Sequence, residues 1–472
     1  MIFSQIEYFW FFGIVFALYW AVPARARLAV LVPASLLFYG TWNFKYLFLL
    51  VGTTGLDYFS AIKLSEARDE RTRKLWLAGS LTANLGILSL FKYYGFFVRS
   101  IVGLLTAMGI DAHPATLDVL LPVGVSFYTF QSMSYTIDVY RGVEKPVRSP
   151  LMYLAFVSFF PQLVAGPIVR ARHLVHQLQA PPDFDTARFK SGAKLFFWGL
   201  LKKNLFADLV AVRCVDLIFQ SPGDFDRSSL WVAALGYSVQ IYADFSGYSD
   251  MARGSARMLG YELPLNFETP YRSLNITDFW RRWHISLSSW LRDYLYISLG
   301  GNRKGRRRTW VNLFTTMLLG GLWHGAAWTF VIWGGLHGAA LAVHKIFLER
   351  TEGNATLARL RPRLPYQAAC WLVTFLFVCL CFVLFRAPDF GAAAAYLRGL
   401  FAPHGARHLI DLGALAPLLI FAAANLIGAR FDVASWYTRT PWPLRSVGYA
   451  VAILVLLLLT PTAQVPFVYF QF

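Results

Sequence analysis

Residues 263–299 read LPLNFETPYRSLNITDFWRRWHISLSSWLRDYLYISL. The stretch is strongly aromatic, yet it holds Glu268, Arg272, Asp278, Arg281, Arg282, Arg292 and Asp293. Arg253, Arg257 and Glu262 lie just before it. Longer apolar runs lie beyond these charges on both sides. Charged side chains are too costly to face lipid. Such a segment must line a cavity, lie at the interface or pack inside protein.

The surrounding runs show what kind of protein holds it. A helix that crosses a bilayer needs about 20 mostly apolar residues. Residues 28–44, 75–91, 119–137 and 149–169 contain no Asp, Glu, Lys or Arg. Neither do 309–336, 364–385, 412–429 and 446–472. Residues 2–22 contain only Glu7. Weaker runs lie near 46–62, 96–110, 195–218 and 229–250. These runs predict an all-α polytopic membrane protein with about ten to twelve membrane segments, some too short to span. Charged residues make up 15% of the chain, where a soluble domain has roughly a quarter. A chain of 472 residues would otherwise allow two or three soluble domains.

No Lys or Arg precedes the first apolar run, and Arg25 and Arg27 follow it. This reads as an uncleaved first span with its N-terminus outside. The net charge is +18. The excess sits between apolar runs, as in 63–74, 141–148 and GNRKGRRR at 301–308. Cytoplasmic loops that fix topology explain it better than nucleic-acid binding, and anionic lipid headgroups would also attract them. Three of the four cysteines, Cys370, Cys379 and Cys381, share one apolar run; the other is Cys214. They show neither a disulfide framework nor metal-ligand spacing.

Three stretches can be separated within one membrane domain, 1–472. Residues 1–140 read as plain spans with short basic loops. Residues 141–345 alternate apolar sequence with charges, prolines and glycines. Residues 346–472 return to plain spans and end on an aromatic cluster, Phe467, Tyr469, Phe470 and Phe472, that suits an interface belt. No internal repeat is apparent.

Two of the nine histidines carry separate arguments. His324 lies in Gly320-Gly321-Leu322-Trp323-His324-Gly325, fifteen residues past Thr309. On a helix that is about 22 Å, deep in the membrane, although the double glycine is a place for the helix to break. It reads either as a packed histidine bonded to a neighbouring helix or as a catalytic base. Imidazole suits proton transfer near neutrality, and flanking glycines let a substrate approach the backbone. His284 follows Trp280-Arg281-Arg282-Trp283. It reads either as part of an interfacial helix anchored by Trp and Arg, or as a polar group at a tunnel mouth whose arginines attract an anionic donor.

Other chemistries find little support. There is no G-x-S-x-G elbow and no Walker A loop. His173 and His176 flank a basic stretch and read as a solvated face. His337 and His344 are seven apart, so they can share one helix face, and packing explains them.

The 263–299 segment, the basic loop after it, and Leu322-Trp323-His324-Gly325 together resemble the membrane-bound O-acyltransferase family. The forty-residue separation of His284 and His324 matches its two-histidine pattern. Residues 124–131 (GVSFYTFQ), 135–140 (YTIDVY), 159–168 (FFPQLVAGPI) and 242–250 (YADFSGYSD) resemble its bacterial alginate O-acetyltransferase branch. The resemblance implies membrane, re-entrant and interfacial helices around a central tunnel that holds His324. It implies His324 and His284 as catalytic residues. It also implies an acyl thioester donor such as acetyl-CoA from the cytoplasm, an extracytoplasmic polysaccharide acceptor, and partners resembling SGNH hydrolases. His324 would deprotonate the acceptor hydroxyl or pass through an acyl intermediate.

Trp323, Asn266, Arg281, Arg282, Asp293, Gln131 and Asp244 are the candidate tunnel residues. No metal and no bound cofactor is expected. Arg303, Lys304 and Arg306–Arg308 would steer a polyanionic donor or simply fix topology. Asp138, Asp244 and Asp250 lie near apolar sequence and need partners, arginines or a histidine to orient. Transfer of D-alanine to teichoic acid and peptidoglycan O-acetylation are the related alternatives. A transporter or flippase is the rival from another class.

Overall fold

A computed structural model describes residues 1–112, 121–402, 405–430, 437–461 and 465–468. Of the terminal aromatic cluster only Phe467 is among them; Tyr469, Phe470 and Phe472 lie outside the described residues. Regular structure among the described residues is helical, apart from one isolated bridge between Phe225 and Arg407. Among the described residues, five helices are long and apolar enough to cross a membrane: Lys45–Glu66, Glu70–Ala107, Trp328–Arg350, Leu364–Arg386 and Trp442–Leu459. Ile6–Ala21 and Leu412–Gly428 are shorter apolar helices. These helices make it a multi-pass membrane protein.

Not every uncharged run became one span. Residues 149–169 fold as two short helices, Pro150–Ser158 and Phe160–Leu163. Pro161 and Pro167 have no N–H to give, so a continuous helix would lose backbone bonds there. The run 309–336 divides between helices Arg306–His324 and Trp328–Arg350. The break falls after His324. Gly320 and Gly321 stay helical, so the double glycine is not the breakpoint.

The chain packs as two compact units. The first takes Met1–Phe197, Ser249–Leu265 and Ser289–Tyr294. The second takes Trp198–Tyr248, Asn266–Ser288 and Leu295–Phe472.

In the first unit a carboxylate sits inside a span. Asp57 of helix Lys45–Glu66 is fully buried. Ser80 Oγ donates to it at 2.6 Å and Asn84 Nδ2 at 2.8 Å, both from the next helix, Glu70–Leu88. A buried acceptor needs such donors, and their spacing of four places both on one face.

In the second unit, helices Arg306–His324 and Trp328–Arg350 form a hairpin that brings two backbones very close. A Cβ at Gly321 would collide with the carbonyl oxygen of Phe330, and one at Gly334 with that of Met317. Small residues permit this approach in membrane helices. The obstacle is backbone, which cannot rotate aside. Gly334→Val should therefore destabilise the protein by about 1–3 kcal/mol, read as a lower melting temperature in detergent.

Candidate active site

His324 is the last residue of helix Arg306–His324, and Gly325 leaves the helix in an extended conformation. The hairpin returns Trp333 to the imidazole, with ring centroids 5.2 Å apart. Trp323 lies 5.1 Å away and Phe385 5.4 Å away. The imidazole is therefore enclosed by aromatic rings and is only 4% exposed.

His284 reaches the same place from another part of the unit. Helix Ile276–Arg282 begins at Asn275, whose side chain accepts from the Asp278 N–H. It ends on Trp283, and helix Ile285–Trp290 starts two residues later. Between them His284 takes a φ of 44°, a conformation that few non-glycine residues adopt. Hydrogen bonds on either side hold it. The Ile285 N–H donates to the Asn266 carbonyl at 2.9 Å, and the Glu268 N–H to the Arg282 carbonyl at 2.9 Å. The His284 side chain is fully buried. Its ring lies 4.6 Å from Phe245, 6.2 Å from Trp323 and 6.3 Å from His324.

Asn266 sets the protonation pattern of His284. Its Oδ1 accepts from the Ser286 backbone N–H at 3.3 Å and from Ser286 Oγ at 2.9 Å. A backbone N–H can only donate, so the amide atom facing it is the oxygen. The same oxygen lies 3.1 Å from His284 Nδ1. Nδ1 must then carry the proton, which leaves Nε2 as the basic nitrogen of a neutral ring. Asn266→Ala should release both tautomer and ring orientation. We expect a fall in kcat of about 10–100-fold with little change in KM for the donor, measured on purified protein.

The second unit thus gathers His324, His284, Trp323 and Asn266. Arg281 and Arg282 sit in the last turn before His284. Arg281 is exposed, and Arg282 donates to Asp278 at 2.9 Å. Asp244 belongs to a separate buried cluster: Lys203 Nζ lies 2.7 Å from its carboxylate and 2.8 Å from that of Asp208. The Val468 N–H also donates to Asp244, at 2.7 Å, and Lys203 donates to the Val465 carbonyl at 3.3 Å.

Gln131 and Asp293 belong to the first unit. Gln131 donates to the Phe156 carbonyl at 2.8 Å. Asp293 lies 2.6 Å from Arg170 and 2.7 Å from Arg292. Desolvation opposes its ionisation, but hydrogen bonds from Arg292 and Arg170 outweigh it and hold the carboxyl below its usual range. Asp138 accepts from Tyr294 at 2.7 Å, and Asp250 lies 3.7 Å from Arg253. Of the three aspartates read as needing partners, two therefore meet cations and one a phenol.

His337 accepts from Trp280 Nε1 at 3.3 Å, and His344 Nδ1 lies 2.8 Å from Thr277 Oγ1. The shared face of these two histidines packs on helix Ile276–Arg282. His173 and His176 are exposed on helix Ala171–Gln179. Trp333, Phe385 and Lys203 were not singled out by the sequence. Trp333 and Phe385 read there as ordinary span residues. Lys203 was one of several charges in a weak run, with nothing to point to its partner Asp244, 41 positions on.

Comparison with known proteins shows the family. A profile of the membrane-bound O-acyltransferase family matches residues 145–386, which include both histidines. A probable alginate O-acetylase of Pseudomonas putida is 43% identical over 84% of this chain and 79% of its own. A peptidoglycan O-acetyltransferase of Helicobacter pylori is 38% identical over 79% of this chain and 74% of its own. A teichoic acid D-alanyltransferase of Streptococcus thermophilus is 28% identical over 54% of this chain and 65% of its own. The chain is an O-acyltransferase and belongs to the membrane-bound O-acyltransferase family.

Proposed function

We propose that this protein takes an acetyl group from a cytoplasmic thioester, acetyl-CoA or an equivalent, and delivers it across the bacterial cytoplasmic membrane for O-acetylation of a polysaccharide such as alginate. The observation that carries the reading is the pair of buried imidazoles, 6.3 Å apart between ring centroids. His324 removes the proton from an acceptor hydroxyl. The oxygen attacks the thioester carbonyl, the C–S bond breaks, and the thiolate leaves with a proton. His284, fixed by Asn266, offers Nε2 to orient the acceptor or the donor. The aromatic walls exclude water, which would otherwise hydrolyse the thioester.

The identities support acetyl over D-alanyl transfer. Relatives named for acetylation match at 38% or more over most of this chain, and the D-alanyltransferase at 28% over about half. Direct transfer to the polymer and relay through an SGNH-hydrolase-like partner both fit this chemistry. Deletion and complementation of the gene test the proposal, read as the acetyl content of the exopolysaccharide. Unchanged acetyl content after deletion overturns it.

A further inference from the structure

Helix Trp328–Arg350 carries Thr329, Trp333 and His337 on one face, each four residues after the last. All three are buried. Each has a polar atom with no hydrogen-bond partner among the described residues: Thr329 Oγ1, Trp333 Nε1 and His337 Nε2. Thr329 stands in the first turn, where no helical carbonyl lies a turn behind it. Trp333 and His337 lie further in, and their lone atoms both carry a proton. An indole N–H can only donate, and Trp280 Nε1 gives its proton to His337 Nδ1 at 3.3 Å. Nδ1 is therefore an acceptor, and the ring proton sits on Nε2. Buried N–H groups are seldom left without an acceptor. Two of them on successive turns mark a place where an acceptor arrives from outside the chain.

That place is beside the base. The Trp333 ring lies 5.2 Å from the His324 ring and 4.7 Å from the His337 ring. Phe385 lies 5.2 Å from Trp333, and Phe377 5.3 Å from His337. Phenyl rings give no strong acceptor and leave little room for water to compete. A hydroxyl deprotonated at His324 attacks a carbonyl carbon, and the charge it brings lands on the carbonyl oxygen one bond away.

We propose that Trp333 Nε1–H and His337 Nε2–H receive the thioester carbonyl oxygen and hold its charge during transfer. As the acceptor oxygen bonds to the carbonyl carbon, the π electrons of the C=O bond move onto its oxygen. The two N–H groups bind this oxyanion. Its collapse restores the C=O bond and breaks the C–S bond, and the thiolate leaves with the proton that His324 took from the hydroxyl. Donors fixed in advance in a dry site need no reorganisation as the charge develops. A neutral imidazole serves as such an electrophile. The inference rests on the proposed transfer from a thioester, and it adds two residues and the atom they hold.

The test uses inside-out membrane vesicles from polysaccharide-producing cells, with each variant as the only copy. They receive acetyl-CoA, and free thiol and polymer-bound acetyl are read per amount of protein, above the level left by His324→Ala. Trp333→Phe keeps a ring and loses the N–H. His337→Asn keeps an acceptor for Trp280 and loses the far donor, while His337→Gln returns an N–H to the far position. Melting temperatures in detergent establish which variants are folded, and either residue decides the question if the variant at the other fails to fold. We expect Trp333→Phe and His337→Asn each to lower kcat about 10²–10³-fold with little change in KM for acetyl-CoA. His337→Gln should recover part of the loss.

A second reading needs no turnover. His324→Gln protein, which keeps the thioester intact, binds acetyl-CoA labelled with ¹³C at the acetyl carbonyl. The infrared band of that carbonyl should move to lower frequency on binding, and adding Trp333→Phe or His337→Asn should remove much of the shift. A purely structural role would leave the band where it was.

If wild type releases thiol and forms acetyl ester while folded Trp333→Phe and His337→Asn match its kcat, the pair falls and acetyl transfer stands; the two N–H groups then hold buried water only. A carbonyl shift that survives in both variants overturns the pair as well. If wild-type vesicles release no thiol above the His324→Ala level, the proposed transfer falls and the pair with it.

Discussion

Replacing His324 with Ala should lower acetylation by about 10²–10⁴-fold, the usual contribution of a general base. Cells carrying the variant as their only copy should make polysaccharide with almost no acetyl. The protein level should stay close to normal, because the imidazole lies at the very end of its helix and the remaining backbone bonds survive. The change does open a space between Trp323, Trp333 and Phe385, and an apolar void costs stability. His324→Gln, nearer in volume but without a titratable nitrogen, separates the two effects. It should melt close to wild type and be as inactive as Ala. Acetylation that survives in either variant, with protein present, would sink the assignment of His324 as the base.

A second large effect is expected at the buried charge cluster around Lys203. Lys203 is 3% exposed along its side chain and bridges two carboxylates, Asp208 and Asp244. Lys203→Met keeps the length and removes the charge. Two like charges are then left without their cation in a poor solvent. Breaking a buried pair in this way costs about 3–5 kcal/mol. The variant should melt well below wild type in detergent and be depleted from membranes. The triple variant Lys203→Met, Asp208→Asn, Asp244→Asn removes all three charges and should recover much of the loss. If Lys203→Met melts like wild type, the cluster has no structural role.

Local spelling made some of this legible and tertiary pairing hid the rest. Asn266 and His284 lie in 263–299, whose charges have no use in lipid, and that mismatch marks them. His324 lies in an uncharged run instead and is marked by its polarity between Trp323 and Gly325. The φ of 44° at His284 had no such signal, since histidine is an ordinary residue to find after a tryptophan. Gly320-Gly321 was open to misreading. Glycine loosens a helix, but here its missing side chain admits Phe330 and Gly334 of the neighbouring helix. Composition cannot distinguish these two uses. Residues 149–169 were misjudged for a related reason. Their lack of charge fits a lipid-facing span as well as a buried pair of short helices, and burial is a property of neighbours. The walls of the site, Trp333 and Phe385, come from two other helices, so only folding brings them to His324.

The tie between Asp244 and Val468 also bears on how the protein is made. The two residues are 224 positions apart. Ribosomes add roughly 5–20 residues per second, so about ten to forty-five seconds pass between them. Throughout that interval Asp244 is already in the nascent chain while its backbone donor does not yet exist. The polypeptide must wait, partly assembled, for the stretch around Val468 before this bond can close. A chain that stops early would keep an unfinished interior, and membrane proteases could sort it from complete copies by that defect alone.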